Sequence, residues 1–254
     1  MDILTEKKDG ILRVELNRPQ KKNAITVAMY AALTDALADG ERDPNVRVIV
    51  LHGAGGAFAA GNDLEDFLKN PPSDENAPVI RFLLQISRTS KPIVAAVVGA
   101  AVGIGTTMLL HCDLVYAGEG TRFSLPFAQL GLCPEAASSY LLPAVAGYQR
   151  AAERLLLGEP FGPAEARECG FVNKVLPDAE VLDFALAQAR KLAALPASSL
   201  HATKMLMKRR LGMVVEEQIR EEIAHFQRLL GAPAAKEAFT AFFERRKPDF
   251  SKVE

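Results

Sequence analysis

Apolar positions fall along this chain in two rhythms, one of period two and one of period three to four. Leu12, Val14 and Leu16 alternate with Arg13 and Glu15 after an Asp9-Gly10 turn, which predicts a half-buried strand. Residues 93–98 are an apolar, β-branched run of strand length, 46–51 read as a second strand, and 171–175 as a shorter one. Helical spacing starts at Met29, Leu33 and Leu37, on a helix that Thr26 can cap and that closes near Gly40. A short helix, Leu64–Lys69, follows Asp63, and another covers 79–87. From residue 148 helices dominate, at 148–157, 163–169, 178–194, 198–208, 214–230 and 234–245. Polar residues make a loop at 19–23, and glycine and alanine make one at 53–61. The segment 70–78 is the most loop-like, and its place before a helix predicts a mobile gate over a pocket. Strands mixed with helices first and helices last make the chain α/β, mostly one domain.

Residues 92–140 carry the chemistry. The strand at 93–98 runs through Gly99, Gly103 and Gly105 into an apolar helical run at 106–110. Such a junction leaves free N–H groups at a positive helix end, which suits an anion or a carbonyl oxygen that is gaining charge. Glu135 is the one charged residue in 123–149. A single carboxylate facing an oxyanion site is the apparatus for moving a proton next to a carbonyl.

Composition narrows the partners. With 49% apolar and 24% charged residues, the chain can bury a sizeable core. A net charge of −1 and no basic block argue against nucleic acid. Cys112, Cys133 and Cys169 form no CxxC spacing and read as reduced thiols. His52, His111, His201 and His225 have no ligand spacing, so no metal is expected. His111 reads as a packed core histidine, Asp113 as a hydrogen-bonded structural acid, Asp63 as a helix cap, and Glu65 and Asp66 as a solvated helix face. Ser138 and Ser139 lack a His/Asp pattern for hydrolase chemistry. The charged N-terminus has no apolar signal region, no apolar run is long enough to span a bilayer, and the last residues are not a peroxisomal address. A cytoplasmic protein with no membrane partner is the expectation.

Several segments, taken together, resemble one known family. GAAVGIGTTMLLHCDLVYAG at 99–118, followed by FSLPFAQLGL at 123–132, resembles the core of the enoyl-CoA hydratase/isomerase (crotonase) superfamily. GGAFAAGNDLEDF at 55–67 matches that family's first oxyanion loop, and NRPQKKNAI at 17–25 its N-terminal signature. The resemblance implies a crotonase-like (ClpP/crotonase) spiral of ββα units with a helical C-terminal part. Residues 1–195 would form the core with the acyl-CoA site and 196–254 a helical oligomerisation region, in a homotrimer or dimer of trimers. It also implies an acyl-CoA thioester substrate, with coenzyme A part of that substrate and no separate cofactor.

Carried over position by position, the resemblance makes the N–H groups of Asn62 and Ile104 the two oxyanion donors. The two glutamates of the family's hydratases fall here on Thr107 and Phe127, so the chain should hydrate poorly. Glu135, in GLCPEAASSY, resembles the single glutamate of peroxisomal-type Δ3,Δ2-enoyl-CoA isomerases, with Ala136 where glycine is common. In that role Glu135 takes a proton from C2 and returns it at C4, and its apolar neighbours Leu130, Leu132, Ala136 and Ala137 raise its pKa. Lys21, Lys22 and the Arg245-Arg246-Lys247 tail are expected phosphate partners. Ala60, Gly61 and Leu64 would line the pantetheine and adenine end, with Asp63, Gly103, Thr107 and Phe127 completing the site. The alternatives are a hydratase-like or other crotonase reaction on an unusual acyl-CoA, and a non-catalytic acyl-CoA-binding module.

Overall fold

The computed structural model describes residues 1–72, 74–209 and 212–253. Its strands are β1 (Ile3–Lys8), β2 (Ile11–Leu16), β3 (Val48–Gly53), β4 (Ile93–Val97), β5 (Ala100–Val102), β6 (Leu114–Gly118), β7 (Arg122–Ser124) and β8 (Lys174–Leu176). Its helices are α1 (Val27–Arg42), α2 (Leu64–Lys69), α3 (Pro78–Arg88), α4 (Ile104–Thr107), α5 (Ser138–Ala146), α6 (Tyr148–Ala152) and α7 (Pro163–Glu168), then α8 (Val181–Ala193), α9 (Ala197–Lys208), α10 (Gly212–Leu230) and α11 (Pro233–Phe243).

The main sheet has the order β1-β2-β3-β4-β6-β8. Only β1 and β2 are antiparallel, joined by Asp9 and Gly10 at positive φ; the remaining pairs are parallel. Parallel strands are buried on both faces, which is why β4 and the first four residues of β3 are unbroken apolar runs. Their alternate side chains serve two cores. Val48, Val50, Val94 and Ala96 face Val181, Ala185 and Ala189 of α8. Ile49, Leu51, Ile93, Ala95 and Val97 join the larger cluster with Met29, Leu33 and Leu37 of α1 and Phe82, Leu83 and Ile86 of α3. A second small sheet, β5 with β7, is extended by single bridges at Ala59–Ala101, Ile25–Asn62 and Phe123–Phe161. Repeated turns of chain thus pass first through the main sheet and then through this second layer, which is the spiral that the resemblance implies.

Several expected boundaries move, for identifiable reasons. Helix α1 continues past Gly40 to Arg42, because Gly40 lies under Leu12: a Cβ there would meet Leu12 Cδ2 at 2.6 Å. The strand expected at 171–175 begins at Lys174, since Phe171 and Val172 are buried in the larger core and Asn173 exchanges hydrogen bonds with Val115 first. The helix expected at 106–110 is four residues of α4 starting at Ile104, followed by a 3₁₀ turn at Met108–His111. The helix expected at 148–157 widens after α6 into a π-helical turn at Glu153–Leu157. The pattern missed β1, whose side chains are exposed apart from Ile3, the short strands β5, β6 and β7, and α5, which carries Pro143 inside it.

Helices α10 and α11 fold back over the spiral. Val215, Ile219, Phe226, Ala235 and Phe239 belong to the larger core, so the segment after residue 195 is part of the same packed body. Gly131 lets α11 approach, since a Cβ there would lie 2.8 Å from the Ala235 nitrogen.

Candidate active site

The first loop is fixed well before it reaches the site. Asn23, fully buried at φ 57, accepts a hydrogen bond from the Arg18 N–H (2.8 Å) and donates to the carbonyls of Ala54 (2.9 Å) and Ala57 (2.7 Å). The chain then runs beside β5, with the Ala59 N–H donating to Ala100 O and the Val102 N–H to Ala59 O, both at 2.9 Å. Ile25 donates to Gly61 O (2.8 Å) and accepts from the Asp63 N–H (2.9 Å). These bonds flank Asn62, whose own N–H finds no protein acceptor among the described residues.

The second loop turns at Gly103, with φ 53 and ψ −119, a conformation that favours glycine. The N–H groups of Thr106 and Thr107 return to Gly103 O at 2.8 and 2.9 Å, and the Ile104 N–H is left without a protein acceptor among the described residues. Gly105 is required by proximity: a Cβ there would stand 2.4 Å from Ala59 O. The free amides therefore sit on two segments in direct contact.

Both loops border a cavity of about 810 Å³. Its wall includes Lys21, Ala60, Gly61, Asn62, Asp63, Leu64, Gly103, Ile104, Phe127 and Glu135. Of the expected residues, Lys22, Thr107, Arg246 and Lys247 are not on that wall. Lys22 is exposed at φ 49 and contributes its carbonyl, which accepts the Ala60 N–H at 3.0 Å. Thr107, the last residue of α4, is fully buried, and its hydroxyl has no partner among the described residues. Phe67, Phe226, Phe239, Phe242 and Phe243, from α2, α10 and α11, add an aromatic lining that sequence reading missed. Arg245 also lines the cavity, whereas Arg246 is engaged by Glu237 and Glu244.

Glu135 stands at the inner end. Ala136 and Ala137 after it are both left-handed (φ 61 and 55), and the Ser138 N–H and hydroxyl donate to the Glu135 carbonyl at 3.1 and 2.6 Å. His111 donates from Nε2 to Ala136 O at 2.8 Å; burial lowers its pKa to about 4, so it stays neutral. The Glu135 side chain is buried, and Oε1 has no hydrogen-bond partner among the described residues. Burial first, and the charge of Glu222 second, push its pKa up to about 8. On its other side Glu135 borders an apolar chamber of about 20 Å³, walled by Phe67, Val79, Ile80, Leu83, Ile223 and Phe226. Pro72, from the loop expected to act as a gate, also lines that chamber, and its carbonyl accepts from Gln227 Nε2 at 2.9 Å; Ser73 of the same loop lies outside the described residues.

Two further groups complete the surroundings. Tyr30, buried on α1, donates its hydroxyl to Asn62 Oδ1 at 2.5 Å, and burial followed by the Glu135 charge raises its pKa. Its position on the buried face of α1 reads as core, so only the fold exposes this contact. Asp63 caps α2 and pairs with Arg18, and Asp113 accepts from Lys204 and the Ile93 N–H, as their sequence positions imply. Asp66 differs from its expected solvated role: its Oδ2 accepts the Val27 N–H at 2.6 Å, at the start of α1. Cys112, Cys133 and Cys169 are free. Among the described residues, no three His, Cys, Asp or Glu side chains group closely enough to hold a metal ion, and no helix is long and apolar enough to cross a membrane.

Paired glycine loops with free amides and a buried carboxyl make a site for moving a proton beside an oxyanion, and the family match adds that the class is acyl-CoA processing. The chain belongs to the enoyl-CoA hydratase/isomerase family, whose model matches residues 6–253. It is 34% identical to the 1,2-epoxyphenylacetyl-CoA isomerase of Escherichia coli, over 98% of each chain. It is 37% identical to enoyl-CoA delta isomerase 2 of Rattus norvegicus, over 85% of this chain and 58% of the rat protein. Among solved structures, Pseudomonas aeruginosa OdaA matches with a TM-score of 0.94 and 43% identity, over 96% of this chain and 99% of that one.

Proposed function

We propose that the protein is a Δ3,Δ2-enoyl-CoA isomerase. The observation that carries this reading is the buried Glu135 carboxyl, with an unpartnered oxygen, on the wall of the cavity that Asn62 and Ile104 border. A thioester oxygen between the two free amides would place C2 and C4 against that carboxyl. Glu135 removes the C2 proton, the charge passes to the thioester oxygen as a dienolate, and the same carboxyl returns the proton at C4. Lys21 and Arg245 at the cavity wall would meet the phosphates of coenzyme A. Thr107 and Phe127, at the positions of the hydratase glutamates, supply no second carboxylate to activate water, which favours isomerisation over hydration. Assembly as a homotrimer or dimer of trimers belongs to the same reading.

The test is optical. A 3-enoyl-CoA converted to its conjugated 2-enoyl isomer gains ultraviolet absorbance, and simple binding gives none. Glu135→Gln should lower this rate by about 10²–10⁴-fold, as loss of a general base does, with coenzyme A binding retained. Undiminished turnover in the variant would remove the mechanism. A second reading, isomerisation of an acyl-CoA with a ring in its acyl group, draws on the six phenylalanines that line the cavity and on the E. coli relative. Comparing ring-containing and straight-chain substrates separates the two.

A further inference from the structure

The turn after Glu135 is held from outside its own loop. Glu222 of α10 is buried, and both of its oxygens face donors: Oε2 accepts the Ala137 N–H at 2.6 Å, and Oε1 accepts the Ser139 N–H at 3.0 Å and the Ser139 hydroxyl at 2.5 Å. Gln218 Nε2 donates to that hydroxyl at 3.1 Å, so the hydroxyl proton is committed to Glu222. Backbone N–H groups cannot accept a proton, so a proton on Oε2 would face the Ala137 N–H, and a proton on Oε1 would have to turn the Ser139 hydroxyl proton away. Burial first, with a smaller push from the Glu221 charge, leaves the Glu222 pKa above its ordinary value, and the three donated bonds hold back part of that rise. The geometry favours the ionised form.

The two residues that Glu222 grips, Ala137 and Ser139, begin α5 directly after Glu135. One of them, Ala137, is left-handed, as is Ala136 before it. The same helix α10 supplies Ile223, Phe226 and Gln227 to the chamber beside Glu135. Among the described residues, the other titratable groups around Glu135 and Glu222 are Tyr30 from α1, Cys133 from the preceding loop, neutral His111 on the Ala136 carbonyl, and Glu221 on α10. Arg228 of α10 acts on Cys133, and among the described residues no cation pairs with Glu222 itself.

We infer that Glu222 is a positioning residue for Glu135: as a fixed anion on α10 it clamps the left-handed turn that aims the Glu135 carboxyl into the cavity and keeps a negative charge behind it. The charge makes Glu135 a stronger base than burial alone would, and the clamp ties base strength to the seating of α10. This rests on the proposed role of Glu135, but its first readout does not.

The experiment is an infrared difference titration of Glu135 in the substrate-free full chain. The acid carbonyl band is isolated by subtracting the spectrum of the matching Glu135→Gln protein. Glu222→Gln, which keeps the shape and removes the charge, should lower the Glu135 protonation midpoint by about one pH unit. The acid limb of the kcat/KM profile for 3-enoyl-CoA should move down by the same amount. Glu222→Asp, which restores the charge one methylene further back, should show a smaller fall. An unchanged midpoint in folded Glu222→Gln, or a fall in Glu222→Asp as large as that in Glu222→Gln, overturns the inference. If the midpoint moves but the wild-type protein never isomerises a 3-enoyl-CoA, the inference stands and the proposed reaction fails.

Discussion

Glu135 is costly to the fold in a pH-dependent way. Its pKa is about 8 in the folded chain against an ordinary 4.5, so between those values the folded state binds more protons than the unfolded one. Stability therefore falls as pH rises through that window. Glu135→Gln should match the wild type near pH 4.5 and exceed it above pH 8 by about 3–5 kcal/mol, read from denaturant midpoints at the two pH values. Buried His111 acts oppositely: with its pKa lowered to about 4 from 6.5, stability drops as pH falls between those values. Ala136, like Ala137 after it, is an alanine held in the left-handed region. At φ 61 its Cβ is crowded, and Ala136→Gly should stabilise the protein by up to about 1 kcal/mol, measured by urea unfolding. A lower midpoint for Ala136→Gly would show that the turn is relaxed.

At the scale of elements, the site depends on contacts that neighbouring sequence does not encode. The cap at Asp63 and the free amide at Gly103-Ile104 are local and legible, because each needs only its own few residues. The seating of α4 against the 59–62 segment depends on Gly105, whose missing side chain is visible in sequence but whose neighbour, Ala59 O, is not. Helix α10 presents Phe226 edge-on to Phe67, with ring centroids 6.0 Å apart, and so closes the inner chamber. Phe226→Ala should open that chamber. The ratio of kcat/KM for an eight-carbon over a four-carbon 3-enoyl-CoA should then rise by about ten-fold, measured by the same absorbance change.

For the whole molecule, the C-terminal helices have two faces with different fates. One is buried in the core through Ile219, Phe226 and Phe239. The other leaves Met205, Leu206, Met207 and Met213 exposed on α9 and α10. Under the proposed assembly, light scattering should give a mass that is a multiple of three chains. A monomer at micromolar concentration would contradict it.

By itself the sequence determined the α/β class, most elements, the two glycine turns and the lone carboxyl, because periodicity, capping and backbone freedom act over a few residues. It also carried the family, in motifs that keep their order along the chain. Only the tertiary structure decided that Tyr30 reaches Asn62, that Glu222 reaches the turn after Glu135, and that Thr107 and Lys22 lie off the cavity wall. Those contacts join residues 32 and 85 positions apart. Long-range pairing is set by how helices seat on the spiral, and no local pattern records it.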